Sequence, residues 1–295
     1  MINVKDLTVK YGEFCAVDNV SFYIDPSSGI TGLLGPNGAG KTTTMRVLTG
    51  YLSPTNGYIE IGGIPFDENP RNHIEIKKRI GYLPESNPLY PEMLVIEYLE
   101  FMAYAKQLEQ NRIKERMYFL IETLELQSHL YTPLSLLSKG FRQRAALAAT
   151  LIHDPEIIIL DEPTTGLDPN QIISIRNFIK GLSKEKTLIL STHILKEVED
   201  VCDRVIIINK GKIVADRKVE ELQRSNFIVI VAKSHRENIQ EENILQSEFK
   251  RYICELREDK PEHLFNEIKR LDWEVREFSP LERSLEEVFR ELTIN

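Results

Sequence analysis

One segment of the sequence reads Gly35-Pro36-Asn37-Gly38-Ala39-Gly40-Lys41-Thr42 and matches the pattern G-x-x-x-x-G-K-[ST]. The apolar run at residues 30–34 predicts a buried strand before it, and residues 43–48 predict the opening of a helix after it. Glycines in such a loop let several backbone N–H groups point inward at the positive end of the helix, where anions bind. The segment therefore predicts a phosphate-binding loop for a nucleoside triphosphate.

Two side chains at the end of this loop have the chemistry that a triphosphate requires. We expect the amine of Lys41 to reach the β- and γ-phosphates. The hydroxyl of Thr42 would bind Mg²⁺, a hard cation that keeps octahedral oxygen coordination and bridges phosphates. The alternative is a glycine-rich turn without a ligand, but the coincidence of strand, loop, lysine and hydroxyl favours the nucleotide site.

The composition indicates a globular protein with one large domain and a small one. The chain has 295 residues, of which 42% are hydrophobic, and a net charge of −8 from 37 basic and 45 acidic residues. Because general polyanion binders are usually basic, we expect no nucleic-acid partner. No apolar run approaches the roughly 18 residues that span a bilayer, and the N-terminus lacks the apolar core of a signal peptide. We therefore expect the chain itself to be cytoplasmic.

The three cysteines, Cys15, Cys202 and Cys254, are far apart and odd in number. Neither a disulfide framework nor a zinc site has this spacing. We expect all three to be small buried hydrophobic residues.

The order of patterns along the chain predicts a small antiparallel sheet and an inserted helical lobe. Residues 2–24 alternate polar and apolar side chains, as strands with one buried face do. Tyr11 lies beside a glycine between two of these strands, where its ring would stack on a base or would be an ordinary turn tyrosine. Residues 57–63 predict a hairpin, residues 80–83 a strand that ends in a loop, and residues 92–128 have helical spacing.

Two apolar strands end in polar side chains that predict catalytic groups. Residues 157–160 are followed by Asp161 and Glu162, and the strand from residue 187 ends just before His193. Since the carboxyl ends of parallel strands line the ligand crevice, both carboxylates would face the phosphate-binding loop. Asp161 would hold Mg²⁺ through water, and Glu162 would polarise the attacking water. A lone histidine is usually structural, but its place at the same edge favours a functional role.

Ser138 precedes an alanine-rich helix and is predicted to cap it. The start of this helix is also favourable for an anion. Without further context, the segment is a capped helix with basic residues.

Together these segments, over about residues 1–218, resemble the nucleotide-binding subunit of ABC transporters. The resemblance implies an α/β fold with a P-loop ABC ATPase domain over 1–218, which has a mixed sheet and a helical subdomain at about 86–152. Residues 219–295 lie outside this match and are expected to form a small C-terminal α/β accessory domain. The resemblance also implies that Tyr11 stacks on adenine and that Gly35 to Thr42 form the Walker A loop, with Thr43 in the phosphate cradle. Asp161 and Glu162 would form Walker B, with Glu162 as the catalytic base, and His193 would occupy the switch position. Ser138 and Gly140 would lie in the signature motif, and Asp168 in the D-loop.

The chain departs from the family pattern in three motifs. The signature LSGGQ is Leu137-Ser138-Lys139-Gly140-Phe141 here, which keeps the serine and the second glycine. Glu85 replaces the Q-loop glutamine and can face Mg²⁺ or water, but it cannot donate as an amide does. Thr165 stands where serine is commoner in the D-loop and keeps the hydroxyl.

The resemblance is strongest to ATPases that serve ABC-2-type exporters, including the gliding-motility ATPase GldA, on residues 138–144 and 152–156. It implies ATP and Mg²⁺ as cofactors and a homodimer in the ATP-bound state. An integral membrane permease would hold the ATPase on the inner face of the cell membrane. Two alternatives are a soluble ABC-type ATPase in DNA repair or translation and a subunit that does not hydrolyse ATP. The single phosphate-binding loop disfavours the first, and the two carboxylates with the histidine disfavour the second.

The last part of the chain predicts a small α/β unit. Strands are expected at residues 227–232, 252–256 and 273–278, and helices at 263–271 and 284–292. Residues 221–295 contain 12 basic and 17 acidic residues, which makes nucleic acid an unsuitable partner. Residues 280–289 resemble the accessory domains of exporter ATPases, for which regulation, dimer support and simple stabilisation remain open.

Overall fold

The computed structural model describes residues 1–224, 227–234, 250–255, 261–270, 273–280 and 283–294. The chain divides into two compact units, Met1–Lys218 and Val219–Asn295. The predicted ends of a strand at Leu256 and of a helix at Leu271, and residues 281 and 282 of the closing segment, lie outside the described residues.

The first unit contains ten strands and seven α-helices among the described residues. The strands are β1 Ile2–Tyr11, β2 Phe14–Ile24, β3 Ile30–Leu34, β4 Asn56–Ile61, β5 Ile64–Pro65, β6 Ile80–Leu83, β7 Ile157–Asp161, β8 Thr187–Thr192, β9 Arg204–Asn209 and β10 Lys212–Lys218. The helices are α1 Lys41–Leu48, α2 Pro70–Arg79, α3 Val95–Ala105, α4 Gln110–Thr123, α5 Lys139–Leu151, α6 Pro169–Leu182 and α7 Leu195–Val201.

A six-stranded mixed sheet positions the predicted site. Its order is β10-β9-β3-β8-β7-β6, with β10 antiparallel to β9 and the other neighbours parallel. Strands β3, β7 and β8 are buried along their whole length, which explains their continuous apolar sequences. Because these strands run in the same direction, their carboxyl ends bring the loops that follow them to one edge. The mixed sheet confirms the predicted fold class.

The smaller sheet has the order β2-β1-β4-β5 and is antiparallel throughout, as the alternating pattern of residues 2–24 predicts. Its inner face shares one apolar core with α1 and the larger sheet. This core includes Ile2, Leu7, Met45, Leu48, Ile159 and Ile206.

The predicted helical lobe is present. Helices α3 and α4 both contact α5, and their buried side chains include Leu99 and Leu120. Ser138 caps α5, since its hydroxyl accepts a hydrogen bond from the N–H of Phe141 at 3.4 Å. Within the described residues, no helix combines the length and apolar character that crossing a bilayer requires.

The second unit contains a three-stranded antiparallel sheet with helices, as predicted. Its elements are α8 Val219–Gln223, β11 Phe227–Ser234, β12 Lys250–Glu255, α9 Pro261–Arg270, β13 Trp273–Pro280 and α10 Leu285–Ile294. The strand order is β12-β11-β13. Alternate residues of β11 meet α9 in a core of Ile228, Ile230, Ala232 and Ile268.

All three cysteines lie among the described residues and are free. The prediction that they are buried is correct for Cys202 and wrong for Cys15 and Cys254, which are half-buried. Cys15 lies at the start of β2, and Cys254 lies on the edge strand β12, so both remain partly accessible to water.

Candidate nucleotide-binding site

The phosphate-binding loop joins β3 to α1, and two of its glycines have no room for a side chain. Gly40 precedes α1 with a φ of +107°, a conformation that L side chains rarely adopt. A Cβ atom at Gly40 would collide with the carbonyl oxygen of Ala16, and one at Gly35 would collide with that of Ile208. The loop therefore packs closely against the neighbouring backbone and leads into the start of α1, a helix end that favours an anion.

Lys41 is buried and its amine is held by the loop itself. The Nζ atom donates to the carbonyl oxygens of Gly35 at 2.8 Å and Pro36 at 3.2 Å. It also lies 4.0 Å from Oε1 of Glu162. Burial lowers the pKa of Lys41, and the carboxylate of Glu162 opposes that shift. The amine is thus a partly desolvated cation whose present acceptors are neutral carbonyls, so an entering phosphate would be a stronger partner.

Asp161 and Thr42 form an oxygen-rich pair that fits Mg²⁺. The Thr42 hydroxyl lies 3.4 Å from Oδ1 of Asp161, and Ser191 donates to the same oxygen. Oδ2 of Asp161 is buried and has no hydrogen-bond partner. Burial raises the pKa of this carboxyl group, so a cation beside it would stabilise the ionised form. Since Mg²⁺ usually keeps several waters and binds substrate phosphates, phosphate and water oxygens would complete its coordination.

Glu162 follows β7 in a left-handed conformation, with a φ of +52°. Its carboxylate lies 2.8 Å from Nδ1 of His193 and accepts from Oγ1 of Thr165 at 3.0 Å. Its N–H donates to the Ser191 hydroxyl at 3.2 Å. Neighbouring side chains therefore fix the carboxylate of Glu162, which suits a group that must orient one water molecule.

A single cleft of about 540 Å³ is lined by Lys41, Thr42, Glu162 and His193, and its size is within the range of small-molecule sites. It brings together most of the predicted site residues: Tyr11, Asn37, Gly38, Ala39, Gly40, Lys41, Thr42, Thr43, Glu85, Glu162 and His193. It is also lined by Phe14 and Ala16, which the sequence did not single out, and by Thr165, which the resemblance places in the D-loop.

Six predicted residues do not line this cleft: Gly35, Pro36 and Asp161, which precede lining residues in the chain, and Ser138, Gly140 and Asp168. Ser138 caps α5, and Asp168 caps α6 by accepting from the N–H of Gln171 at 3.0 Å. Gly140 packs so tightly on the Gln171 side chain that a Cβ atom there would collide with it. These last three residues lie where the N-termini of α5 and α6 meet, with Ser138 and Asp168 exposed and Gly140 buried.

Sequence patterns also missed a buried carboxylate that supports the site. Glu197 in α7 is 1% exposed and accepts from Thr164 and, at 2.5 Å, from Thr192. Arg176 lies 3.5 Å from it. Thr164 follows Glu162 by two residues and Thr192 directly precedes His193, so Glu197 connects the two loops that carry these side chains. The signal that could have identified Glu197 was its position four residues after His193, on a short helix.

A second polar link joins the loop after β6 to the same region. The Gln143 side chain, in α5, donates to the carbonyl oxygen of Pro163 at 2.6 Å. Asn87 donates to the carbonyl oxygen of the Gln143 side chain. The chain after Glu85 is therefore tied to the turn that follows Glu162.

A glycine-rich loop with a buried lysine, facing two carboxylates at the carboxyl end of the parallel strand β7, defines a P-loop nucleoside triphosphatase. Residues 17–165 match the family model described as ABC transporter. The chain belongs to this family, and it is an ATPase.

Three known proteins show the extent of the similarity. The Nod factor export ATP-binding protein I of Cupriavidus metallidurans is 39% identical over 75% of this chain and 71% of the relative. The bacitracin transport ATP-binding protein BcrA of Bacillus licheniformis is 38% identical over 77% of this chain and 72% of the relative. The dimeric structure of the ATP-binding cassette MJ0796 in a post-hydrolysis state, bound to ADP and Pi, superposes with a TM-score of 0.68. It is 26% identical and covers 74% of this chain and 99% of that chain.

Proposed function

We propose that this chain binds and hydrolyses ATP to power a separate membrane-spanning permease of the ABC-2 exporter type. The observation that carries the proposal is the contact between Glu162 and His193 beside the buried amine of Lys41. Two similar proteins are named for Nod factor export and bacitracin transport, which supports a role in export. The gliding-motility ATPase group is one subgroup within this proposal.

In the proposed mechanism, Tyr11 stacks on adenine and residues 38–43 bind the triphosphate. Lys41 moves from the carbonyls of its own loop to the phosphates. The carboxylate of Glu162 orients a water molecule and accepts its proton as the water attacks the γ-phosphorus. The bond to the β–γ bridging oxygen breaks, which gives ADP and phosphate. His193 holds Glu162 in place and contacts the γ-phosphate.

Thr42 and Asp161 would hold Mg²⁺, with Glu85 facing the ion or a water molecule. The bound ion supplies positive charge that neutralises the phosphates. The free Oδ2 atom of Asp161 supports this assignment.

The site would be completed by a second copy of the chain. Ser138 and Asp168 are exposed and lie outside the cleft at the N-termini of α5 and α6, and the buried Gly140 lies beside them in the first turn of α5. We propose that two copies enclose two ATP molecules, each bound between the phosphate loop of one copy and Ser138 and Gly140 of the other. The dimeric structure of the similar cassette supports this arrangement.

A second cleft of about 500 Å³ supports a protein partner. It lies between the loop after β6 and helix α3, and Tyr51, Tyr82, Tyr90 and Tyr98 contribute to its walls. Tyr51 is 74% exposed and Tyr90 is 50% exposed, which is suitable for a protein contact. We propose that this cleft receives the permease, which holds the otherwise cytoplasmic ATPase on the inner face of the membrane.

Affinity purification tests the transporter role. The tagged Glu162→Gln variant is captured from detergent-solubilised native membranes with Mg-ATP, and copurifying proteins are identified by mass spectrometry. The matched control is Lys41→Ala, which cannot hold the triphosphate. We expect a multi-span membrane protein that is enriched with Glu162→Gln over the control. Ribosomes or DNA-repair proteins in its place would contradict the proposal.

A further inference from the structure

Two aromatic side chains stand opposite each other at the tip of the first hairpin. β1 ends at Tyr11 and β2 begins at Phe14, and Gly12 in the two-residue turn has a φ of +59°. The strand register pairs Tyr11 directly with Phe14. Directly opposed residues of antiparallel strands project to the same face, with Cβ atoms about 5 Å apart. The two rings therefore leave the hairpin on the same side.

Backbone hydrogen bonds connect the hairpin to the phosphate-binding loop through Gly211. The N–H of Asp18 donates to the carbonyl of Gly211 at 2.9 Å, and the N–H of Gly211 donates to the carbonyl of Ala39 at 3.0 Å. These contacts set the distance between the aromatic pair and the residues that face the triphosphate. They do not use the side chain of Phe14, so its replacement leaves the hairpin in place.

Both rings are accessible at the mouth of the nucleotide cleft. Tyr11 is 47% exposed and Phe14 is 63% exposed, and both line the cleft together with the phosphate-binding loop. Phenylalanine is among the residues most often buried. An apolar ring left in water at the open end of a ligand cleft would be covered by a flat, apolar part of the ligand. In a nucleoside triphosphate, that part is the base.

We propose that Phe14 is a second contact for the nucleobase of ATP, which touches the rings of both Tyr11 and Phe14. The proposal rests on the proposed function, which places the triphosphate on residues 38–43. Stacking of a base on an aromatic side chain strengthens binding by about fivefold or more. Phe14 has no polar side-chain atom, so it adds contact area without reading the hydrogen-bonding edge of the base.

Equilibrium binding to the full chain tests this role with two probes. Mg-ATP carries a base, whereas Mg-tripolyphosphate carries only the phosphates. Binding of each is measured for the wild type and for Phe14→Ala, Phe14→Trp and Tyr11→Ala. Tyr23→Ala is the matched control, because Tyr23 is an aromatic residue of the same hairpin that is 44% exposed and lies apart from the residues lining the cleft.

We expect Phe14→Ala to weaken ATP binding by about fivefold or more, with tripolyphosphate binding unchanged within about twofold. Phe14→Trp should restore ATP binding, and Tyr23→Ala should bind both probes as the wild type does. An unchanged Kd for ATP in Phe14→Ala would overturn the proposal, as would equal weakening of both probes. A failure of the proposed function would give a different result. A wild-type chain that binds ATP without hydrolysing it would contradict that function but not the role of Phe14.

Discussion

The Nδ1 atom of His193 lies 2.8 Å from the carboxylate of Glu162, although 31 residues separate them in the sequence. The contact forms because β7 and β8 are parallel neighbours, with Asp161 paired to Ser191. The residues that follow the two strands therefore emerge side by side. Thr165 donates to the same carboxylate, so the proposed base is held from two directions.

The first prediction concerns Glu162 as the base. Glu162→Gln preserves the shape of the side chain but cannot accept the proton of water. We expect hydrolysis to fall about 10²- to 10⁴-fold while the Kd for ATP stays within a few-fold of the wild type. Phosphate release and equilibrium binding measure the two quantities. Near-normal turnover would remove Glu162 from this role.

Two glycine-to-alanine variants test whether the phosphate-binding loop requires glycine at its end. Gly40→Ala introduces a Cβ atom at a φ of +107° and against the carbonyl of Ala16, so we expect loss of ATP binding and a lower thermal midpoint. Gly181→Ala is the control, because Gly181 lies in α6 with open space around its Cα atom. We expect it to raise the free energy of unfolding by up to about 1 kcal/mol. Equal effects of the two changes would contradict the steric argument.

Glu197 is predicted to position the loops on either side of it. Glu197→Ala leaves the half-buried Arg176 without this carboxylate and removes the acceptor of Thr164 and Thr192. We expect a loss of about 3 kcal/mol in the free energy of unfolding, measured by urea denaturation, together with a lower kcat. Asp200→Asn is the control, since Asp200 is the more exposed partner of Arg176, and it should cost about 1 kcal/mol or less. A Glu197→Ala variant as stable as the control would refute this positioning role.

The pH dependence of stability has an identifiable contributor in His153. Burial, followed by the positive charge of Lys106, lowers the pKa of His153 to about 4, from 6.5 in the unfolded chain. As the pH falls from 6.5 to 4, His153 becomes protonated in the unfolded chain but stays neutral in the folded chain. Stability is therefore lost over this window, by up to about 3 kcal/mol.

His153→Gln keeps a donor for the carbonyl of Ile80, which lies 3.1 Å from Nε2, and removes the titration. We expect the difference in unfolding free energy between pH 7 and pH 4 to shrink by up to about 3 kcal/mol in this variant, as measured by urea denaturation. Identical pH profiles for the variant and the wild type would contradict the assignment.

The sequence predicts the sheet and the residues at its carboxyl edge because both depend on local signals. An apolar run that ends in a polar residue marks the place of Asp161, and parallel strands bring such ends together. Phe14 and Glu197 were missed because their positions depend on how separate segments pair and pack. The hairpin register sets the place of Phe14, and the packing of α7 against β8 sets that of Glu197. Periodicity within one segment contains neither quantity.

The dimer proposal makes a prediction that separates assembly from ATP binding. Ser138→Asp keeps an oxygen that can cap α5, so the helix should remain stable. The added negative charge would repel the triphosphate bound by the other copy, whereas the copy's own cleft, which Ser138 does not line, should bind ATP normally. In the Glu162→Gln background with Mg-ATP, we expect Ser138→Asp to remain monomeric in sedimentation experiments. Ser138→Thr, which keeps both cap and hydroxyl, should dimerise. If Ser138→Asp also dimerises, the partner's triphosphate does not lie against this helix, and the site must be completed by another surface.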